Sequence, residues 1–155
     1  MINEIIEKIK KKKFNEALKI CEREENSSNK EIILNFKGII YFNKGQKDLA
    51  EKNFIESYKI KNDFIDPLKN LSALYMNNKI YDKAIFFIKK IYNLNKKDPN
   101  VILNLAHAYE LNNEFNNSII YYNEYLNINK NDKKIFNQIG CIYQNRNEPD
   151  KALRY

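Results

Sequence analysis

Asp66–Asp98, DPLKNLSALYMNNKIYDKAIFFIKKIYNLNKKD, is the stretch whose periodicity decides how the chain folds. Leu68, Leu71, Ser72 and Tyr75 fall at i, i+3, i+4 and i+7, which places them on one face of a helix. Ala84, Ile88, Ile91 and Tyr92, at i, i+4, i+7 and i+8, likewise share one helical face further on, and Asn77-Asn78 separates the two runs. The spacing therefore predicts two amphipathic helices joined by a short turn.

Outward from this pair the same landmarks return. A small residue opens the second helix at Ala17, Ala50, Ala84, Ser118 and Ala152, at intervals of 33, 34, 34 and 34. Nine residues before the last four stand Tyr41, Tyr75, Tyr109 and Tyr143, and three residues earlier again stand Gly38, Ser72, Ala106 and Gly140. A small residue on each helix lets the two backbones approach closely, and a tyrosine one turn on fills the space beside them. All four tyrosines are therefore expected to be largely buried.

Helix pairs of this length, with small, Tyr and Ala positions in this order over the whole chain, resemble the tetratricopeptide repeat (TPR) family. The resemblance implies an all-α fold, a TPR-type solenoid of antiparallel helix pairs stacked into a right-handed superhelix. It divides the chain into a single array of repeats at about 1–28, 29–64, 65–98, 99–132 and 133–155, the last incomplete. The first unit departs from the pattern. Its face, Ile2, Ile5, Ile6 and Ile9, fits the later ones only with an intra-unit turn one residue shorter, which puts Ile6 at the small position.

Local signals set the expected helix ends. Ser28-Asn29-Lys30-Glu31 has capping-box spacing, so a helix should begin near residue 29. Asp66-Pro67 and Asp98-Pro99 read as helix starts, and Pro149 as the start of the last helix. The turns carry Asn43-Lys44-Gly45, Asn77-Asn78, Asn112-Asn113 and Asn145-Arg146-Asn147, residues that tolerate left-handed helix endings. The last helix has barely begun at Tyr155, which suggests a segment of a longer protein or, second, a homodimer formed through the incomplete C-terminal repeat.

Composition narrows the function classes. A hydrophobic share of 43% can bury an inter-helical layer, while no apolar run approaches the roughly 18 residues of a membrane span. A chain without membrane contact is expected, with the cytoplasm as its default location. The net charge of +7 raises nucleic acid as a partner, but Glu110, Glu114, Glu124 and Asp132 against Lys130 make residues 99–132 acidic and interrupt any basic track. Cys21 falls where Phe54, Ile88 and Tyr122 recur and reads as a small core residue. The three glycines form no phosphate loop, and the single histidine, His107, has no nucleophile or second histidine at a recognisable spacing. No catalytic residue, cofactor or metal site is expected, and the chain reads as a non-enzyme.

The TPR resemblance implies that the first helices of successive units line a concave groove that takes a partner peptide or protein segment. Carried over by position, its contacts are Asn35, Ile39 and Phe42; Lys69, Asn70, Ala73 and Met76; Leu103, Asn104, His107 and Leu111; and Lys134, Asn137, Gln138 and Cys141. Asn70, Asn104 and Gln138 stand 34 residues apart, and carboxamides in a ladder can pair with the main chain of an extended peptide. Lys69, Asn104 and Lys134 also match the two-carboxylate clamp of chaperone-binding TPR domains, but Ala73 and Gln138 stand where that clamp has Asn and Arg. Without the arginine fork, carboxylate recognition is weak. The alternatives are a self-associating scaffold and a regulatory or targeting arm of a larger enzyme.

Overall fold

The computed structural model describes residues 1–155 and places ten α-helices along them. They are α1 (Ile2–Lys10), α2 (Phe14–Arg23), α3 (Lys30–Asn43), α4 (Lys47–Ile60), α5 (Ile65–Asn77), α6 (Tyr81–Leu94), α7 (Pro99–Leu111), α8 (Phe115–Ile128), α9 (Lys133–Asn145) and α10 (Pro149–Ala152). Two units divide them: Met1–Lys79 with α1 to α5, and Ile80–Tyr155 with α6 to α10. No helix is long and apolar enough to cross a membrane.

One turn design recurs in both units. The residue after each opening helix's C-cap is left-handed: Lys12, Gly45, Lys79, Asn113 and Asn147 have φ of 55°, 76°, 59°, 61° and 57°. The next N–H then reaches back five residues to a helix carbonyl. Gln46 bonds Tyr41 and Glu114 bonds Tyr109 at 2.9 Å, Glu148 bonds Tyr143 at 3.0 Å, and Lys13 bonds Lys8 at 2.9 Å. These are Schellman closures, and they stop the helix where the following one can fold back onto it. The recurring tyrosine thus supplies its carbonyl to the turn while its ring packs between helices.

The turn also corrects the reading of the first unit. Its left-handed residue, Lys12, stands 33 residues before Gly45, the same offset as Ala17 to Ala50, so the turn is not shortened. Ile5, fully buried, and not Ile6, takes the place of Gly38. The shortening lies in α2, which ends at Arg23 after ten residues where α4 runs for fourteen.

In the first unit α3 packs on α4, and α1 on α2. Ile5, Ala17, Ile20, Cys21, Ile33 and Ile40 form one core, with Ile9, Phe14, Phe36 and Tyr41 half-buried against it. Full burial of each Ile or Leu contributes about 1.5–3 kcal/mol. The Ser57 hydroxyl donates to the Glu31 carbonyl at 2.6 Å and ties α4 to α3. The amine of buried Lys37 donates to the Glu25 carboxylate at 3.1 Å. Cys21 is a core residue as expected, and burial pushes its thiol up to about 11.

In the second unit α7 packs on α8, α6 on α7, and α9 on α10. Its core joins Ala106, Ile119, Tyr122, Leu126, Ile139 and Ile142. The Tyr109 and Tyr121 rings stack at 5.5 Å, and Tyr92 meets Tyr121 edge-on at 5.6 Å. Of the four landmark tyrosines, Tyr75 and Tyr109 are buried, whereas Tyr41 and Tyr143 are only half-buried. Tyr143 is covered by the Tyr155 ring at 5.7 Å.

A polar staple also recurs, from the C-cap of an opening helix to the start of the preceding second helix. Lys44 donates to Asn15 at 3.0 Å, Asn112 to Asp82 at 2.9 Å and Arg146 to Asn116 at 2.7 Å, and Asn78 accepts from Lys47. Residues 44, 78, 112 and 146 are 34 apart.

Four helix starts behave in three different ways. Asp98 accepts from the Asn100 N–H at 2.9 Å with Pro99 in the first turn, and Asp132 caps α9 through the Lys134 N–H at 3.1 Å. The Ser28–Glu31 box does not form: α3 starts at Lys30 behind Asn29 without a side-chain cap. At Asp66-Pro67 the helix begins earlier, at Ile65, so Asp66 lies inside the first turn and does not cap it.

Candidate functional site

Each unit presents a cleft formed by its opening helices. In the first, Ile2 and Ile6 of α1, Ile32, Phe36 and Ile39 of α3, and Phe64 before α5 wall a space of about 470 Å³. The helical spacing of 2 and 6, and of 32, 36 and 39, puts these side chains beside the face that builds the core. Asn70 Nδ2 donates to Asn35 Oδ1 at 2.9 Å and forms the polar part of the cleft, with Asn35 only 5% exposed. Lys69 and Asp66, both exposed, stand at the rim. The cleft can therefore accept an apolar side chain, with a carboxamide oxygen and one charge of each sign at its edge.

In the second unit Leu103, Asn104 and His107 of α7, Tyr122 of α8, and Lys134, Ile135 and Gln138 of α9 line a smaller cleft of about 320 Å³. Its inner wall is a closed polar network. The Tyr122 hydroxyl donates to Glu110 at 2.6 Å, and Gln138 Nε2 donates to the other carboxylate oxygen of Glu110. Burial, and then the Glu110 carboxylate, push the Tyr122 phenol well above its ordinary range. Asn104, His107 and Lys134 remain exposed at the rim.

The structure thus sorts the residues expected from the sequence. Asn35, Ile39, Lys69 and Asn70 meet in the first cleft, and Leu103, Asn104, His107, Lys134 and Gln138 in the second. Phe42 and Met76 are half-buried and Leu111 is 38% exposed, none of them lining either cleft. Ala73, Asn137 and Cys141 are exposed. The three carboxamides of the ladder are not equivalent. Asn70 and Gln138 have committed their N–H groups to Asn35 and Glu110, whereas Asn104 faces solvent. Sequence reasoning missed Ile2, Ile6, Ile32, Phe36 and Phe64, although the 2/6 and 32/36/39 spacing carries the signal.

A wider open depression of about 690 Å³ lies at the α8–α9 loop, around Tyr125 and residues 129–134. Its carboxylate, Asp132, is already engaged by the Lys134 N–H and by the Tyr125 hydroxyl at 3.0 Å, so the turn itself accounts for these groups. No group of three or more His, Cys, Asp or Glu side chains comes together with metal-ligand geometry.

Residues 33–64 and 99–132 match the family described as Tetratricopeptide repeat. No curated protein matches the chain by sequence. Solved structures of MamA share its fold. MamA 41-end from Desulfovibrio magneticus RS-1 aligns with a TM-score of 0.79 at 16% identity, over 98% of this chain and 86% of that one. MamA AMB-1 gives 0.79 at 20% identity over 98% and 84%, and MamA MSR-1 gives 0.76 at 22% over 98% and 88%. At such identities the likeness concerns the fold. Two segments match the repeat directly, and the landmarks, left-handed turns and staples recur at the same period, so the chain carries tetratricopeptide repeats and has the all-α fold of such arrays.

Proposed function

We propose that this protein is an interaction module that holds a partner polypeptide against its opening helices, with an apolar side chain of the partner seated in the α1–α3–α5 cleft. The observation that carries the reading is the cleft itself. Six apolar side chains surround one hydrogen-bonded asparagine pair, an arrangement that favours apolar anchoring with limited polar orientation. Asn104, His107 and Lys134 add exposed polar contacts in the second unit, and the open Asn104 carboxamide suits a partner's main chain.

Peptides selected from a display library against the full chain provide the probe. Ile6→Asp with Ile39→Asp should weaken a selected peptide by about 30-fold or more, the loss of one anchored hot spot. Asn104→Ala should cost about 0.5–1.5 kcal/mol, the worth of a neutral hydrogen bond. Both effects should change little with salt, because neither contact is ionic. Selected peptides that bind both variants as tightly as the parent would overturn this reading.

A further inference from the structure

The outward faces of α6 and α8 carry an apolar stripe that their own unit leaves uncovered. Phe86, Lys90 and Leu94 follow one another at i, i+4 and i+8 along α6, and 34 residues later Ile120, Glu124 and Ile128 do the same along α8. Phe86, Leu94, Ile120 and Ile128 are 55%, 51%, 60% and 47% exposed. The two helices are neighbours, since the Tyr92 hydroxyl donates to Glu124 Oε1 at 2.8 Å and the Tyr92 ring meets Tyr121. In α4 the same repeat positions hold Lys52, Glu56 and Ile60, so the stripe is not a requirement of the repeat. Four half-exposed apolar groups in two adjacent rows, each row with one charge at its centre, form the kind of patch that marks an interaction surface.

We propose that this face is the interface of a homodimer, in which α6 of one copy lies over α8 of the other. The charge pattern selects the geometry. A two-fold axis parallel to the helices and midway between them lays Phe86 over Ile120, Lys90 over Glu124 and Leu94 over Ile128, and repeats each contact in reverse. A two-fold axis across the helices would set Lys90 on Lys90 and Glu124 on Glu124, placing like charges together where water is excluded. Tyr92 occupies only one oxygen of Glu124, and the other is free for the lysine of the second copy. Lys90 lies 4.9 Å from the centre of the Phe86 ring. A second copy supplies the apolar cover and brings a lysine and a glutamate face to face at each crossing.

Sedimentation equilibrium of the full chain from about 1 µM to about 1 mM tests the proposal. The expected result is a reversible monomer–dimer equilibrium within that range. Phe86→Ser with Ile120→Ser should raise the dissociation constant about 100-fold or more, with an unchanged helical circular-dichroism spectrum because both side chains are half exposed. Lys90→Glu and Glu124→Lys should each weaken self-association about tenfold or more, and an equimolar mixture of the two variants should recover the parent's affinity, since every contact across the mixed dimer is then between opposite charges. That recovery also shows that both variants are folded. A monomer throughout the range, which would leave the face to a different partner, overturns the proposal. So does a dimer that survives Phe86→Ser with Ile120→Ser, or a mixture no tighter than its components. None of these readouts depends on the α1–α3–α5 cleft, whose loss is seen with peptide alone.

Discussion

Glycine occupies the same repeat position in the two units, at residues 38 and 140, and meets different surroundings. In the first unit the side of Gly38 is closed by the ring of Phe54, 1% exposed, and a methyl group built there would stand 3.0 Å from its Cγ and closer still to the ring edge. In the second unit the nearest atom to a methyl on Gly140 is the Ala152 carbonyl oxygen at 3.6 Å, an ordinary contact. A repeat signature thus marks where a small residue is allowed. The residue packed opposite decides whether it is required.

The largest expected effect breaks this comparison open. Gly38→Ala should destabilise the protein by about 1–3 kcal/mol, because the embedded Phe54 ring has to shift or leave its rotamer. Gly140→Ala should stabilise it by about 0.5–1 kcal/mol, through the lower conformational entropy of alanine in the unfolded helix-forming chain. Urea melts of the two variants check both signs. Equal destabilisation in the two would mean that Gly140 also lies at a close crossing.

Titration separates the units next. In the second, Tyr92, Tyr109, Tyr121, Tyr122 and Tyr125 all have phenols raised above their ordinary value, Tyr92 to about 12 chiefly through its hydrogen bond to Glu124. In the first the raised groups are Tyr75 and Cys21, each by burial before anything else, and Lys8, through its hydrogen bond to Glu16. A group whose folded pKa is raised contributes stability that is complete below its unfolded value and disappears as pH climbs through the folded one. For the tyrosines that window opens near pH 10. Tyr122→Phe should cost about 1.5 kcal/mol at neutral pH, since it removes a donor to a carboxylate. Tyr92→Phe with Tyr122→Phe should lose less stability than the parent between about pH 9 and pH 11, as read by thermal melts. A parent-like alkaline loss in the double variant would place the sensitivity elsewhere.

Period and turn chemistry were legible from residues alone because they are local. The left-handed positions fall at Gly45, Asn113 and Asn147, inside the Asn- and Gly-rich turns, but also at Lys12 and Lys79, where residue type gives no warning; at Lys12 the Schellman closure from Lys13 to Lys8 imposes the conformation. The capping box at Ser28–Glu31 failed because capping needs a backbone entry angle as well as a spacing, and the chain enters α3 through Asn29 at ψ 35°. In the candidate site the 34-residue carboxamide pattern was visible, but its state was not. Whether a carboxamide faces solvent depends on residues 28 to 35 positions away, Glu110 for Gln138 and Asn35 for Asn70, which no local pattern contains.

Ser118 sharpens the same point at a smaller scale. It holds the position taken by Ala17, Ala50 and Ala84, and it is fully buried with no well-formed hydrogen bond for its hydroxyl, which lies close enough to the Tyr122 phenol, itself directed to Glu110, to act on it only weakly. Ser118→Ala should therefore stabilise the second unit by about 1 kcal/mol, the lower end of the cost of an unsatisfied buried polar group. A melting temperature that falls instead would show that the hydroxyl supports Tyr122.

The smallest effect concerns the staples, which look alike by position and differ in chemistry. In the second unit Asn112 donates to Asp82 at 2.9 Å and also to Glu114 at 2.7 Å, so both protons of its amide are used and two carboxylates share it. In the first unit the Lys44 amine reaches the neutral Asn15 at 3.0 Å through a long exposed side chain. A charged acceptor roughly doubles the strength of a hydrogen bond, whereas an exposed lysine loses rotamer freedom when it is held. Asn112→Ala should then cost about 1 kcal/mol and Lys44→Ala less than about 0.5 kcal/mol, a difference within reach of paired urea titrations. Equal costs would mean that the staple acts through its place in the repeat, by fixing the turn, and that the identity of the bonded groups is secondary.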